Sequence, residues 1–235
     1  MLSDEARSKL LGVTAATLTT CLFKRGFHNQ YLQNVHPVSP KMPRMVGSAF
    51  TLRFIPARED LDTMDAYKDP EHPQRKAIET ISTGEVLVID SRGDPRGASA
   101  GDILLRRIMM RGAAGAVTDG GFRDTPAIAE MNFPVYQQHS SAPTGPIYHH
   151  AVDFNQPIAC GGAAVYPGDI LVGDGEGVVV LPAHMAEELA HESAEMTLYE
   201  DWVEIQVMAG SKLPGIYPQT AESKAAFEEW RAKKG

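Results

Sequence analysis

Two short segments carry residue types that could do chemistry together. The first is Asp119-Gly120-Gly121-Phe122-Arg123-Asp124, set between an apolar run and a helix-like one. Arginine presents a rigid fork suited to a carboxylate, and aspartate is a hard oxygen ligand for a divalent cation. The tandem glycines would let a ligand approach the backbone closely. The second is Gly97-Ala98-Ser99-Ala100-Gly101-Asp102. Its small residues would expose backbone N–H groups at a helix N-terminus, a ready anion site. No GK[ST] follows, so it is a poor phosphate loop. Each segment also has a plainer reading, as a helix start with Asp124 or Asp102 as the cap.

The elements around these segments decide whether they can meet. Residues 85–90 (EVLVID) read as a buried strand, 102–111 as a helix closed by Gly112, and 116–119 as a second strand. Residues 125–131 read as a helix and 134–137 as a third strand. This β–α–β–α–β order implies parallel strands with helical crossovers. Ligands in such sheets bind outside the carboxyl ends of the strands. Adjacent crossovers would therefore bring both loops to one edge.

Upstream, Ser3 with Asp4 and Glu5 marks a helix start, and a second short helix falls within residues 10–23. Residues 34–44 hold three prolines and read as an extended connection. Residues 46–55 form a strand, the charge-rich stretch 58–73 a surface excursion, and 76–82 a short helix. Downstream, residues 158–165, 170–173 and 177–181 are short strands separated by glycine turns. Helix follows over about 185–208. A proline-bearing tail begins at Leu213 and ends in a charged helix, 222–233. A single α/β core has no obvious place for that tail, which is expected to reach a neighbouring subunit.

Weaker candidates have plain explanations. His149 and His150 are consecutive, lack a helical partner four residues away, and are expected in a loop. His139, Ser140 and Ser141 lack a nucleophile-elbow setting. Thr17, Thr19 and Thr20 fit either a pocket lining or helix packing, and Asp174 and Glu176 look like hairpin-turn residues.

Bulk properties exclude several classes. The chain has 235 residues, enough for one substantial core, and its 43% hydrophobic and 22% charged residues argue against disorder. A net charge of -8 opposes non-specific attraction to nucleic acid. Only Cys21 and Cys160 occur, without metal-ligand spacing, so a disulfide framework is not expected. The polar opening does not resemble a signal peptide, and no apolar run approaches a membrane span. A soluble cytoplasmic protein is the expectation.

Three runs together resemble the RraA-like family: GASAGDILLRR (97–107), GAAGAVTDGGFRDTPAIAEMNFPVY (112–136) and VYPGDILVGDGEGVVVLP (165–182). VTAATLTTCL and VGSAFTL fit as well, so the likeness covers residues 10–182, with 183–235 as a helical C-terminal extension. The resemblance implies a single-domain α/β fold of the α/β/β swivelling type, assembled as a trimer or hexamer. It implies Mg²⁺ or Mn²⁺ at Asp124 and Arg123 as the substrate-binding arginine. The amides of Gly101, Asp102, Ile103 and Leu104 would hold the pyruvyl carboxylate, with Asp102 near the metal through water. Glu195 or Glu200 could complete a neighbouring subunit's site.

The family includes class II aldolases acting on 4-hydroxy-4-methyl-2-oxoglutarate and 4-carboxy-4-hydroxy-2-oxoadipate. The implied function is therefore a metal-dependent lyase cleaving a 4-hydroxy-2-oxo acid to pyruvate and a second carbonyl compound. Oxaloacetate decarboxylation, which passes through the same enolate, should accompany or replace it. The alternative is a non-catalytic inhibitor of ribonuclease E. Such regulators tend to lack the carboxylate after the arginine, which Asp124 retains here.

Overall fold

The computed structural model describes residues 2–234. Helices α1 (Asp4–Gly12) and α2 (Ala15–Lys24) are capped by the hydroxyls of Ser3 and Thr14. The short β1 (His36–Pro37) and the long β2 (Met45–Pro56) follow, then α3 (Pro73–Thr80) and β3 (Glu85–Asp90). The middle of the chain runs β4 (Ala98–Ala100), α4 (Asp102–Met110), β5 (Gly115–Thr118), β6 (Gly121–Phe122), α5 (Thr125–Ala129), β7 (Val135–Gln137) and β8 (His139–Ser140). Strands β9 (His149–Phe154), β10 (Ile158–Cys160), β11 (Ala163–Val165), β12 (Ile170–Gly173) and β13 (Val178–Leu181) precede α6 (Ala186–Met208) and α7 (Ala221–Lys234).

The main sheet has the order β1-β7-β5-β3-β2-β12-β13, and β2, β3, β5 and β7 run parallel as the β–α–β–α–β reading requires. Its parallel centre is buried on both faces, which explains the unbroken apolar run of β3. Leu87 and Ile89 face α3 and α4, together with Phe50, Leu52, Leu105 and Ile108. Val86 and Val88 face the opposite side, with Tyr136 and the β10–β11 hairpin. A third apolar cluster joins α1, α2 and the first half of α6 to β12 and β13.

Strand β2 is long because its free edge serves two partners. Residues Met45–Ser48 pair with β12, and Leu52–Pro56 pair with β9 across a bulge at Arg53/Phe54. His149 and His150 therefore lie in a strand, not a loop. His149 is buried, stacked on Phe54 at 5.4 Å between ring centroids. The run His149–Phe154 is too polar to announce a strand by itself, and pairing with β2 decides it. Residues 158–165 likewise form two strands, turning at Gly161 and Gly162 with φ of 53° and 77°.

The tail packs on its own chain, where the sequence offered no obvious place for it. Helix α7 docks on the second half of α6, where Phe227 meets Tyr199 and Trp202 at 5.4 and 6.1 Å. The Tyr199 hydroxyl donates to the Ile216 carbonyl and lies 2.7 Å from Ser223 Oγ, a hydroxyl that can donate to it. Burying an aromatic side chain contributes roughly 1.5–3 kcal/mol, and this small satellite core is what ties α7 to α6.

Candidate functional site

Just past their carboxyl ends, β3, β5 and β7 each continue into one strand of a second, three-stranded parallel sheet, β4-β6-β8. This small sheet ties together the loops singled out in the sequence. Arg123 N donates to the Ala100 carbonyl at 3.0 Å, Phe122 N to Gln137 Oε1 at 2.8 Å and Ser141 N to the Phe122 carbonyl at 2.9 Å. Beneath it, the buried hydroxyls of Ser91, Ser99 and Thr118 contact one another at 2.7–3.1 Å. A fully paired buried polar cluster of this kind fixes one geometry, because breaking any member strands a polar group.

The tandem glycines have a different use from the one expected. A Cβ on Gly120 would stand 2.6 Å from Ser91 Cβ, and one on Gly121 would stand 2.5 Å from the His139 carbonyl oxygen. They admit neighbouring protein, not a ligand.

The close approach at the site is made by Gly101. A Cβ there would lie 2.8 Å from Asp124 Oδ2 and 3.0 Å from Arg123 Nε. The two segments thus meet at one point. Gly101 is the N-cap of α4, so the first N–H groups of Asp102, Ile103 and Leu104 have no intrahelical partner. Asp102 is the first residue inside the helix and does not cap it. Its carboxylate pairs with Arg106 Nε at 3.2 Å.

Asp124 occupies the N-cap position of α5, as the plainer reading has it, but its side chain makes no capping bond. Its backbone is left-handed, at φ 61° and ψ 30°, a conformation costing a non-glycine residue about 1 kcal/mol or more. The carboxylate is half-exposed and sits 3.5 Å from Arg123 Nε.

Gly101, Asp102, Ile103, Leu104, Arg123 and Asp124 all line one cleft of about 190 Å³. Sequence reasoning missed its opposite wall, made by Met64, Tyr67, Gln74 and Arg75, with Thr144–Pro146 closing one end. The excursion at 58–73 therefore borders the site through Met64 and Tyr67, and α3 adds Gln74 and Arg75. An aromatic residue, Tyr67, inside an otherwise charged stretch was the available signal. Burial pushes the Tyr67 hydroxyl up to about 12, which keeps it protonated at neutral pH.

Other candidates fall elsewhere. Glu195 pairs with Arg231 at 2.8 Å, and Glu200 accepts from Thr17 Oγ1 at 3.2 Å. Thr19 and Thr20 line a separate recess beside Phe23 and Tyr31. Asp174 is a hairpin-turn residue as expected, accepting from Glu176 N, and it also accepts from Ala15 N at the start of α2. Asp119 points into the protein and accepts from Ser91 N and Gly93 N at 2.7 and 3.0 Å.

Among the described residues no group of three or more His, Cys, Asp or Glu side chains converges. The cleft instead offers two carboxylates, Asp102 and Asp124, beside open space. That donor set suits Mg²⁺ or Mn²⁺, hard cations that keep several waters, and does not suit a tetrahedral zinc cage.

Two expected outcomes arise here. Gly101→Ala should lose most of the site's function with little loss of stability. The atoms nearest the added methyl are side-chain ones, Asp124 Oδ2, Arg123 Nε and Arg123 Cγ at 2.8–3.2 Å, so it displaces these two side chains before it strains the backbone. Comparing thermal unfolding with ligand binding checks this, and a functional variant would separate Gly101 from the site.

The second outcome concerns Asp119, whose carboxyl burial and the nearby Asp90 push up to about 6, against the pull of its backbone N–H bonds. Its ordinary value is near 4, so between about pH 4 and 6 the folded state holds a proton that the unfolded chain releases. Stability is therefore lost as pH rises through about 6. Relative to Asp119→Asn, the wild type should lose on the order of 2–3 kcal/mol from pH 4 to 7. Parallel urea curves for the two proteins would contradict this.

Similarity to known proteins agrees with the architecture. Over 118 residues the chain is 40% identical to a protein of Halalkalibacterium halodurans provisionally named 4-hydroxy-4-methyl-2-oxoglutarate aldolase. That match covers 48% of this chain and spans about half, 54%, of the relative. Among solved structures, Streptomyces coelicolor RraAS2, an unusual member of the RNase ES inhibitor RraA family, superposes with a TM-score of 0.75 at 27% identity. It covers 86% of this chain and 97% of its own. An uncharacterized Pseudomonas syringae pv. tomato protein shares the fold, with a TM-score of 0.79 at 23% identity over 90% and 92% of the two chains. The RraA-like family model (Aldolase/RraA) matches residues 2–180, through β4–β8 and into β13, and the chain belongs to that family.

Proposed function

We propose that the cleft binds a 4-hydroxy-2-oxo acid and cleaves its C3–C4 bond, releasing pyruvate and a second carbonyl compound. The observation that carries this reading is the meeting of Arg123, Asp124 and the unpaired amides of α4 at Gly101. The substrate carboxylate would accept hydrogen bonds from the amides of Ile103 and Leu104, at the positive end of the helix. Arg123 would orient the 2-oxo group and stabilise negative charge as it develops on the C2 oxygen. Asp124 would hold Mg²⁺ or Mn²⁺, and Asp102 would stand behind it, placed by Arg106. A divalent cation in that position supplies Lewis-acid polarisation of a carbonyl. Among the described residues no lysine lines the cleft, so none of them offers a Schiff-base nucleophile there. Decarboxylation of oxaloacetate needs the same charge stabilisation and is expected alongside.

Pyruvate release, coupled to lactate dehydrogenase, tests the reading on 4-hydroxy-2-oxo acids and oxaloacetate with and without Mg²⁺ or Mn²⁺. Turnover should require the cation. No release from any of these acids, together with tight stoichiometric binding to ribonuclease E, would favour the inhibitor reading instead. A homotrimer or hexamer belongs to the same proposal and is read by light scattering. A fully active monomer would remove it. No helix among the described residues is long and apolar enough to cross a membrane.

A further inference from the structure

Arg75 differs from most arginines of this chain in what surrounds it. Arg25, Arg53, Arg107 and Arg231 each hold a carboxylate, and Arg44 donates to the Leu11 and Val13 carbonyls. The Arg75 guanidinium lies 5.3 Å over the Tyr67 ring, and its Nε donates to the Tyr67 carbonyl at 3.4 Å. Neither terminal nitrogen has an acceptor among the described residues. The side chain is only partly exposed, on the first turns of α3. Stacking on an aromatic face holds the planar fork in place, so little freedom is lost when it binds an anion.

Its position gives that fork a use. Arg75 and Tyr67 line the Arg123 cleft, and they also line an adjoining recess of about 420 Å³. Ile103 and Leu104 belong to both spaces as well, so the two meet along this wall. Among the other charged groups of the recess, Arg107 binds Glu79, Lys68 binds Asp65, and Asp69 accepts from Glu71 N at 2.8 Å. An elongated ligand anchored at Arg123 would pass apolar Ile103 and Leu104 and present its far end to Arg75.

We propose that Arg75, braced by Tyr67, is a second anion-recognition residue that takes a carboxylate at the end of the substrate remote from the 2-oxo acid group. This rests on reading the Arg123 cleft as a 2-oxo-acid site. The specificity would reside in the segment 58–76, a part of the chain separate from the Gly101 and Arg123 loops. Acids with a distal carboxylate should be selected over neutral hydroxylated chains, because a bidentate Arg–carboxylate pair is strong and a hydroxyl cannot reproduce it.

Calorimetry with two probes tests this on the full chain in Mg²⁺: 2-oxoglutarate, and 2-oxopentanoate, which lacks the distal carboxylate. Wild type should bind 2-oxoglutarate on the order of ten- to a hundredfold more tightly. Arg75→Met should abolish that preference by weakening 2-oxoglutarate alone, and Arg75→Lys should restore part of it. Tyr67→Leu, which removes the brace, should fall between. Equal weakening of both acids by Arg75→Met would mark a purely structural role and overturn the proposal, as would no weakening at all. Should wild type release pyruvate from hydroxy-oxo acids but show no preference between the probes, only this inference fails. A wild type that binds neither acid and releases no pyruvate would sink the reading of the cleft as well.

Discussion

Asp124→Asn is expected to abolish both pyruvate release and binding of Mn²⁺ while leaving the fold intact. The side chain makes no capping bond and is half-exposed, so its charge is not holding α5 in place. Asparagine also tolerates the left-handed conformation at φ 61° better than most residues. Asp124→Ala should be equally inactive but slightly less stable, because alanine resists that conformation more strongly. Removing the cation with EDTA should reproduce the loss in the wild type, and added Mg²⁺ or Mn²⁺ should reverse it. Cation affinity measured by calorimetry or by the Mn²⁺ resonance signal provides a readout independent of turnover. Full activity in Asp124→Asn, or in EDTA, would remove the metal from the mechanism.

Arg123→Lys should cost on the order of 10²–10³-fold in turnover, the usual effect of losing one well-placed donor to a developing oxyanion. Lysine keeps the charge but not the fork. From the Arg123 backbone, which is fixed by its bond to the Ala100 carbonyl, one ammonium group cannot serve both the substrate and Asp124. A loss mainly in kcat would place the interaction in the transition state, whereas a rise in KM alone would mark simple substrate binding. Near-normal values of both would take Arg123 out of the site.

The parallel centre of the fold was legible from residue pattern because each strand there is buried on both faces. EVLVID reads as a strand wherever it is placed, and the helix between it and the next strand forces a parallel crossover. The meeting of the two loops followed from the same logic, since adjacent crossovers end on one edge. Asp124 was visible as a residue type, though whether its carboxylate capped α5 was not. That depended on the left-handed turn at φ 61°.

The amino-acid sequence by itself determined the helix start at Ser3, the parallel strands, and the pairing of an arginine–aspartate loop with a glycine-rich turn. These are local or nearest-neighbour consequences of side-chain shape, hydrogen-bonding groups and apolar spacing. Tertiary structure alone decided that His149–Phe154 is a strand, because its partner β2 lies about a hundred residues away. It also decided that Gly120 and Gly121 admit protein while Gly101 lines the cleft, that α7 folds back onto α6, and that Tyr67 and Arg75 wall that cleft. Each of these depends on which distant surface arrives to bury or face a given side chain. No spacing within a short stretch of chain encodes that.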